Sequence, residues 1–244
     1  MRVPVASALT GLAALVAGIL ASPAAHAQQV AAAVPASGSP PVVGLQVGHW
    51  QASLLPQELA DLRDNNGAIA GNFRELDVNY AATQAAAQVL RAAGVQVDIL
   101  PSTIPAGYRA DAFVAIHADQ DLAGHWRGYK VAPSSLTKDS ADSSLLASDL
   151  AATYAADTGL PPDLHPEAIT PDMRFYYAFN WRHFQHAIDP YTPAAIIELG
   201  FITDPSDRDL LFGHPDQVGQ DVASGILQYL QDKSGFTAGS SSQS

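Results

Sequence analysis

The chain has 244 residues, with 12 Lys and Arg against 24 Asp and Glu and a formal net charge of −12. That acid excess speaks against nucleic acid, whose binding depends on Lys and Arg neutralising phosphates, and it leaves no basic face for an anionic membrane surface. With no cysteine, the chain forms no disulfide and offers no thiolate, so any metal must be held by His, Asp or Glu.

The first segment carries Arg2, an apolar run from Val3 to Leu20, a break at Ser22-Pro23 and the small-x-small end Ala25-His26-Ala27. This pattern is that of a secretory signal peptide over 1–27, cleaved after Ala27, and an exported protein (periplasmic, extracellular or in the cell wall) is expected. The run is nearly long enough to span a bilayer, so retention as an anchor is the alternative; after cleavage no stable membrane insertion is expected. Residues 28–41 form a Pro/Ala/Ser linker, and 234–244 a polar tail expected to be disordered. Between them, 42–233 has the size of one ordinary domain, without internal repeats.

Four apolar runs have strand length and β-branched content: Val42–Val47, Val95–Leu100, Ala112–Ile116 and Ala194–Leu199. Each is nearly continuous, as expected of parallel strands covered on both faces. Helical patterns lie between them. From Glu75, one face collects Leu76, Tyr80, Thr83, Ala87 and Leu90, and Gly94 follows as a stop. Ser143–Asp157 and Gln217–Leu230 are the second and third helices. The alternation predicts an α/β fold, a single layered domain with a mostly parallel sheet flanked by helices on both faces.

Ligands in such sheets gather at the carboxyl ends of the strands. His49 follows the first strand, His117 ends the third, Glu198 lies at the end of the last, and Glu75 opens a helix at the same rim. A hydrolytic Zn²⁺ takes three protein ligands, often two His and a carboxylate, and keeps a position for water. A second carboxylate, not bound to the metal, can take a proton and return it to a leaving amine. Two His and two Glu supply that set, although their separations match no short linear zinc motif.

The stretches "VGLQVGHW", "RELDVNYAATQAAAQVLRAAGVQVDIL", "AFVAIHAD" and "TPAAIIELGFITDPSDRDLL" resemble, in order, four blocks of the zinc-dependent N-acetylmuramoyl-L-alanine amidases of the amidase_3 type. The resemblance covers nearly all of 42–232. It implies that His49, Glu75 and His117 are ligands of one Zn²⁺ per chain and that Glu198 is the catalytic acid/base. The implied substrate is peptidoglycan or muropeptides, cut at the amide between N-acetylmuramic acid and L-alanine, by a monomer.

The sequence departs from the family at the first ligand, where Asp-Pro-Gly-His-Gly-Gly is common and Gln46-Val47-Gly48-His49-Trp50-Gln51 stands here. The missing acid removes one possible outer support of His49, and Trp50 and Gln51 replace small residues at the rim. The stretch between His117 and the helix near Ser143 is too short for a long autoinhibitory insertion, and no cell-wall-binding repeat is visible. His183 and His186 are expected in a groove or at the surface rather than on a metal, since no acid stands in register with them. Tyr176, Tyr177 and Trp181 are expected to pack, and His125, His165 and His214 to face solvent. Asp77 and Asp119 are placed where they could orient ligands. Two other functions compete: an exported zinc peptidase or carboxypeptidase, and a wall-binding module that has lost catalysis, the latter disfavoured because binding alone has no use for Glu198.

Overall fold

The computed structural model describes residues 39–165 and 167–238. The signal peptide expected over 1–27, most of the linker and residues 239–244 lie outside the described residues. In chain order, β1 (Val42–Val47) leads through two 3-10 segments (Ala52–Leu54 and Gln57–Leu62) to a hairpin of β2 (Ile69–Ala70) and β3 (Phe73–Arg74). There follow α1 (Glu75–Ala92), β4 (Gln96–Leu100), β5 (Ala112–Asp119), β6 (Lys130–Pro133), α2 (Ser140–Thr158) and α3 (Pro171–Arg174). A 3-10 turn (Tyr177–Phe179), β7 (Ala194–Phe201), α4 (Pro205–Gly213) and α5 (Pro215–Ser234) complete the domain.

The main sheet has the order β4-β1-β5-β7-β6. Its first four strands are parallel, as their continuous apolar runs predict, and β6 pairs antiparallel with β7 at the edge. β6 is the strand that the sequence pattern does not reveal: "KVAP" is short, begins with a cation and ends with a proline, which only an edge strand tolerates. β5 and β7 run two or three residues further than expected, so His117 and Glu198 stand inside strands rather than at their ends. A register shift between His117 and Asp119 marks where the pairing becomes irregular.

Side-chain alternation along the strands separates two cores. Val114, Ile116, Ala195 and Ile197 face α1, α2 and α5. Phe113, Ala115, Ala194 and Ile196 face the opposite layer, built from the short α3 and the turn carrying Ala178 and Phe179. The same period of two carries His117 and Glu198 onto this second face, beneath residues 170–179.

Of the face expected on α1, Thr83, Ala87 and Leu90 are buried, but Tyr80 is 40 % exposed and Leu76 is half-buried, and Val78, Ala82 and Ala86 are inside as well. The reason is the neighbour: α5 approaches so closely that a Cβ on Gly219 would lie 2.2 Å from the Ala82 carbonyl oxygen. Only the small-residue side of α1 admits that contact. Gly94, at φ +91, terminates α1 as expected. α5 ends at Ser234, with Gly235 in the left-handed conformation after it, and Phe236 packs against the core.

Candidate metal centre

The chain leaves β1 through Gly48 and His49. His49 adopts φ 64, a left-handed conformation uncommon for a side-chain-bearing residue, and backbone strain of this kind gathers at functional sites. Gly48 must be a glycine, because a Cβ there would lie 2.5 Å from the His117 ring. Glu75 is the first residue of α1, where the helix dipole favours a carboxylate.

The three side chains meet at one atom. Glu75 Oε1 lies 3.2 Å from His49 Nε2 and 3.0 Å from His117 Nδ1. It also accepts from the Asn79 side-chain amide at 3.1 Å and the Ala118 N–H at 3.2 Å. The other oxygen accepts the Ala68 N–H at 2.7 Å. One ligand atom from each of His49, Glu75 and His117 lies within 4.8 Å of the others, so the group could hold a metal ion.

The donor chemistry fits a cation. His49 Nδ1 faces the Asn65 carbonyl oxygen at 3.0 Å. A carbonyl only accepts, so that nitrogen carries the hydrogen, and a neutral His49 then aims a lone pair from Nε2 at a carboxylate oxygen. Only a proton or a metal ion between them removes the repulsion. Burial pulls the His49 pKa down, but Glu75 and the Asn65 carbonyl outweigh it and raise it. Burial would push the Glu75 carboxyl up; the imidazoles of His117 and His49 instead hold it well below the usual carboxylate range. His117, the more enclosed imidazole, is lowered by burial despite Glu75. The Asn65 carbonyl supplies the outer support that the missing acid at position 46 does not.

Glu198 stands one strand over. It pairs in register with His117 on β5 and with Lys130 on β6, placing the three side by side on one face. Lys130, buried, forms an ion pair with Asp119. Burial and then the charges of Asp119 and Glu75 push the Glu198 carboxyl well above its ordinary range, against the pull of Lys130. His49, His117, Asp119, Lys130 and Glu198 line a cavity of about 510 Å³, together with Leu55, Leu62, Phe175 and Tyr176, while Glu75 lies behind the two imidazoles.

Thus His49, Glu75, His117 and Glu198, read from four distant segments, line or adjoin one cavity. Of the two acids expected beside them, Asp119 pairs with Lys130, while Asn79, one turn beyond Glu75, holds the ligand in place of Asp77. An amide at i+4 from a buried carboxylate is a legible helix signal; Asn65, Lys130 and Tyr176 have no comparable one. Tyr176 does more than pack, since its hydroxyl meets His117 Nε2 at 3.0 Å. Trp181 is half-buried, donates to the Leu136 carbonyl and lies beside Lys138 and Arg182, while Trp50 turns against Tyr80. His183 is exposed, but His186 does find an acid, Glu58, from a distant segment at 2.8 Å. His125 and His214 face solvent; His165 is half-buried, stacked on Trp126 and bonded to Asp163.

A mostly parallel α/β sheet with a His–Glu–His group at its carboxyl edge defines the class: an α/β domain with a candidate metal centre. The model of the Amidase_3 family, N-acetylmuramoyl-L-alanine amidase, matches residues 62–228, and the chain belongs to this family of enzymes. The matched span takes in Glu75, His117 and Glu198 and begins after His49. No curated protein matches the chain. Among solved structures, it is similar to the N-acetylmuramyl-L-alanine amidase Ami1 from Mycobacterium smegmatis, with 20 % identity, a TM-score of 0.56 and coverage of 79 % of this chain and 97 % of that one. An N-acetylmuramoyl-L-alanine amidase from Clostridium difficile 630 gives 18 %, 0.54, 80 % and 100 %. AmiC2 of Nostoc punctiforme gives 20 %, 0.52, 80 % and 99 %. At these identities the likeness is one of fold.

Proposed function

We propose that the chain is an exported, zinc-dependent hydrolase that cuts the amide between N-acetylmuramic acid and L-alanine in peptidoglycan or muropeptides. In this reading 1–27 is a cleaved signal peptide, 28–41 a linker, the catalytic domain runs from 42 through Phe236, a little past the expected 233, the remaining residues are a tail, and the protein works as a monomer. His49, Glu75 and His117 hold one Zn²⁺, and Glu198 is the catalytic acid/base. The observation that carries the reading is the Glu75 oxygen shared by two imidazoles, with His49 locked by Asn65 so that its free lone pair points inward.

When bound, Zn²⁺ supplies a Lewis acid that polarises a carbonyl and renders a water acidic. The protein does the rest. Glu75, anchored by Ala68 and Asn79, is held ionised and cannot serve as a proton carrier. Glu198, in register with His117 and lining the same cavity, is placed for proton transfer. It accepts a proton from the attacking water and delivers it to the departing alanine nitrogen. Lys130 and Asp119 neutralise each other and leave Glu198 as the acid free to exchange. Leu55, Leu62 and Phe175 keep the walls apolar, which strengthens the charges at the floor.

The test is product analysis. Purified peptidoglycan treated with the mature protein should release peptides with new L-alanine amino termini and no new reducing sugars. A chelator should abolish the release and added Zn²⁺ restore it. New carboxyl ends within the peptide would instead make the protein a peptidase, and no release would make it a wall-binding module.

A further inference from the structure

Both imidazoles of the candidate centre have an outer nitrogen, and the two outer partners differ. His49 Nδ1 meets a backbone carbonyl, whereas His117 Nε2 meets the Tyr176 hydroxyl at 3.0 Å. A carbonyl accepts only, but a hydroxyl donates or accepts. This difference matches what each ring faces. His117 Nδ1 lies 3.0 Å from the Glu75 carboxylate, so in the metal-free protein a neutral ring keeps its hydrogen there and Nε2 accepts from the hydroxyl. When a cation takes the Nδ1 lone pair, the hydrogen must sit on Nε2, and the same hydroxyl can accept it.

The segment that carries Tyr176 is built to hold it still. Phe179 and Met173 anchor it in the second core. Tyr177, the next residue, donates to the Ser102 carbonyl at 2.7 Å and accepts from the Gln46 side-chain amide at 3.0 Å. Gln46 also donates to Ser102, at 3.1 Å. Gln46 thus reaches across the sheet face and clamps the turn over His117.

We infer that Tyr176 is a positioning residue of the metal centre: its hydroxyl holds the outer nitrogen of His117 so that Nδ1 presents its lone pair to the metal. The inference rests on the proposed Zn²⁺ site, and its test separates the two. Zn²⁺ affinity is measured by chelator competition on the full mature protein, its Tyr176→Phe variant and its His117→Ala variant, with the melting temperature of each metal-free form recorded alongside. Loss of an outer partner of a metal-ligating His typically weakens binding about 10- to 100-fold. Tyr176→Phe should lose affinity on that scale with little change in metal-free melting temperature, and His117→Ala should lose the site. If His117→Ala loses zinc while Tyr176→Phe binds it as tightly as the parent, the inference is wrong and the metal site stands. If His117→Ala keeps full affinity, the site assignment fails and takes the inference with it. A readout that requires no variant to fold is the ¹⁵N–¹H spectrum of the histidine-labelled, Zn²⁺-loaded parent. It should show a slowly exchanging His117 Nε2–H, and its absence would overturn the role of Tyr176.

Discussion

Gly48 and His49 show how much of the centre depends on a single backbone turn. The chain must leave β1, reverse through a left-handed residue and let His117 lie against the peptide where any Cβ would collide. Gly48→Ala should therefore push His117 out of line with Glu75 and weaken zinc binding by about 10-fold or more, on the scale of lost ligand support, as chelator competition would show. Unchanged affinity would mean that the ring has room to move. At this scale the four candidate residues are legible in the sequence because each closes an apolar run or opens a helix, positions where polar side chains need a reason. Asn65, Lys130 and Tyr176 are not, because their partners come from segments far away in the chain. Asn65 acts through its carbonyl, which side-chain patterns do not report.

The elements differ in how openly they are written. The parallel strands stand out as unbroken apolar runs, whereas β6 does not, since four residues with a Lys and a Pro carry no periodicity of their own. On α1 the expected Thr83, Ala87 and Leu90 are buried, but Leu76 and Tyr80 are not, because large apolar residues dominate a periodicity pattern while the α5 contact selects small ones. Gly219→Ala should separate α1 from α5 at a cost of about 1–3 kcal/mol, the range for overpacking, read from urea unfolding. α5 also buries Asp221 with one carboxyl oxygen unpartnered. Burial, then the charge of Asp157, raises its pKa to about 6. A carboxyl with a folded pKa above its unfolded value favours the native state most at low pH and loses that advantage as pH rises from the unfolded pKa through the folded one. Asp221→Asn should accordingly raise the melting temperature at pH 7.5 and leave it nearly unchanged at pH 4. An equal effect at both pH values would show that its charge is compensated.

At the scale of the whole molecule, the parallel sheet and its flanking helices follow from patterns that the chain displays along most of its length, whereas the strand order β4-β1-β5-β7-β6 is set by contacts between distant segments. The site lies on the face with short helices because His117 and Glu198 share the parity of Phe113 and Ala194. Among the described residues, no helix is long and apolar enough to cross a membrane. The domain reaches slightly past the boundary read from composition, since Gly235 caps α5 and Phe236 packs on the core. A chain ending at Ser234 should be less stable than one ending at Ala238, by about 1 kcal/mol for a partly buried aromatic ring, measured by denaturant unfolding. Equal stability would mean that the Phe236 contact contributes nothing. In the proposed mechanism the two carboxylates divide the labour, and one paired measurement tests this: bound zinc and amidase rate in Glu198→Gln and Glu75→Gln. Glu198→Gln should bind zinc like the parent and lose about 10²–10⁴-fold in rate, the contribution of a positioned acid/base, while Glu75→Gln should lose activity in step with its metal. A Glu198→Gln variant that stays fully active, or that loses its zinc while Glu75→Gln retains it, would overturn that division.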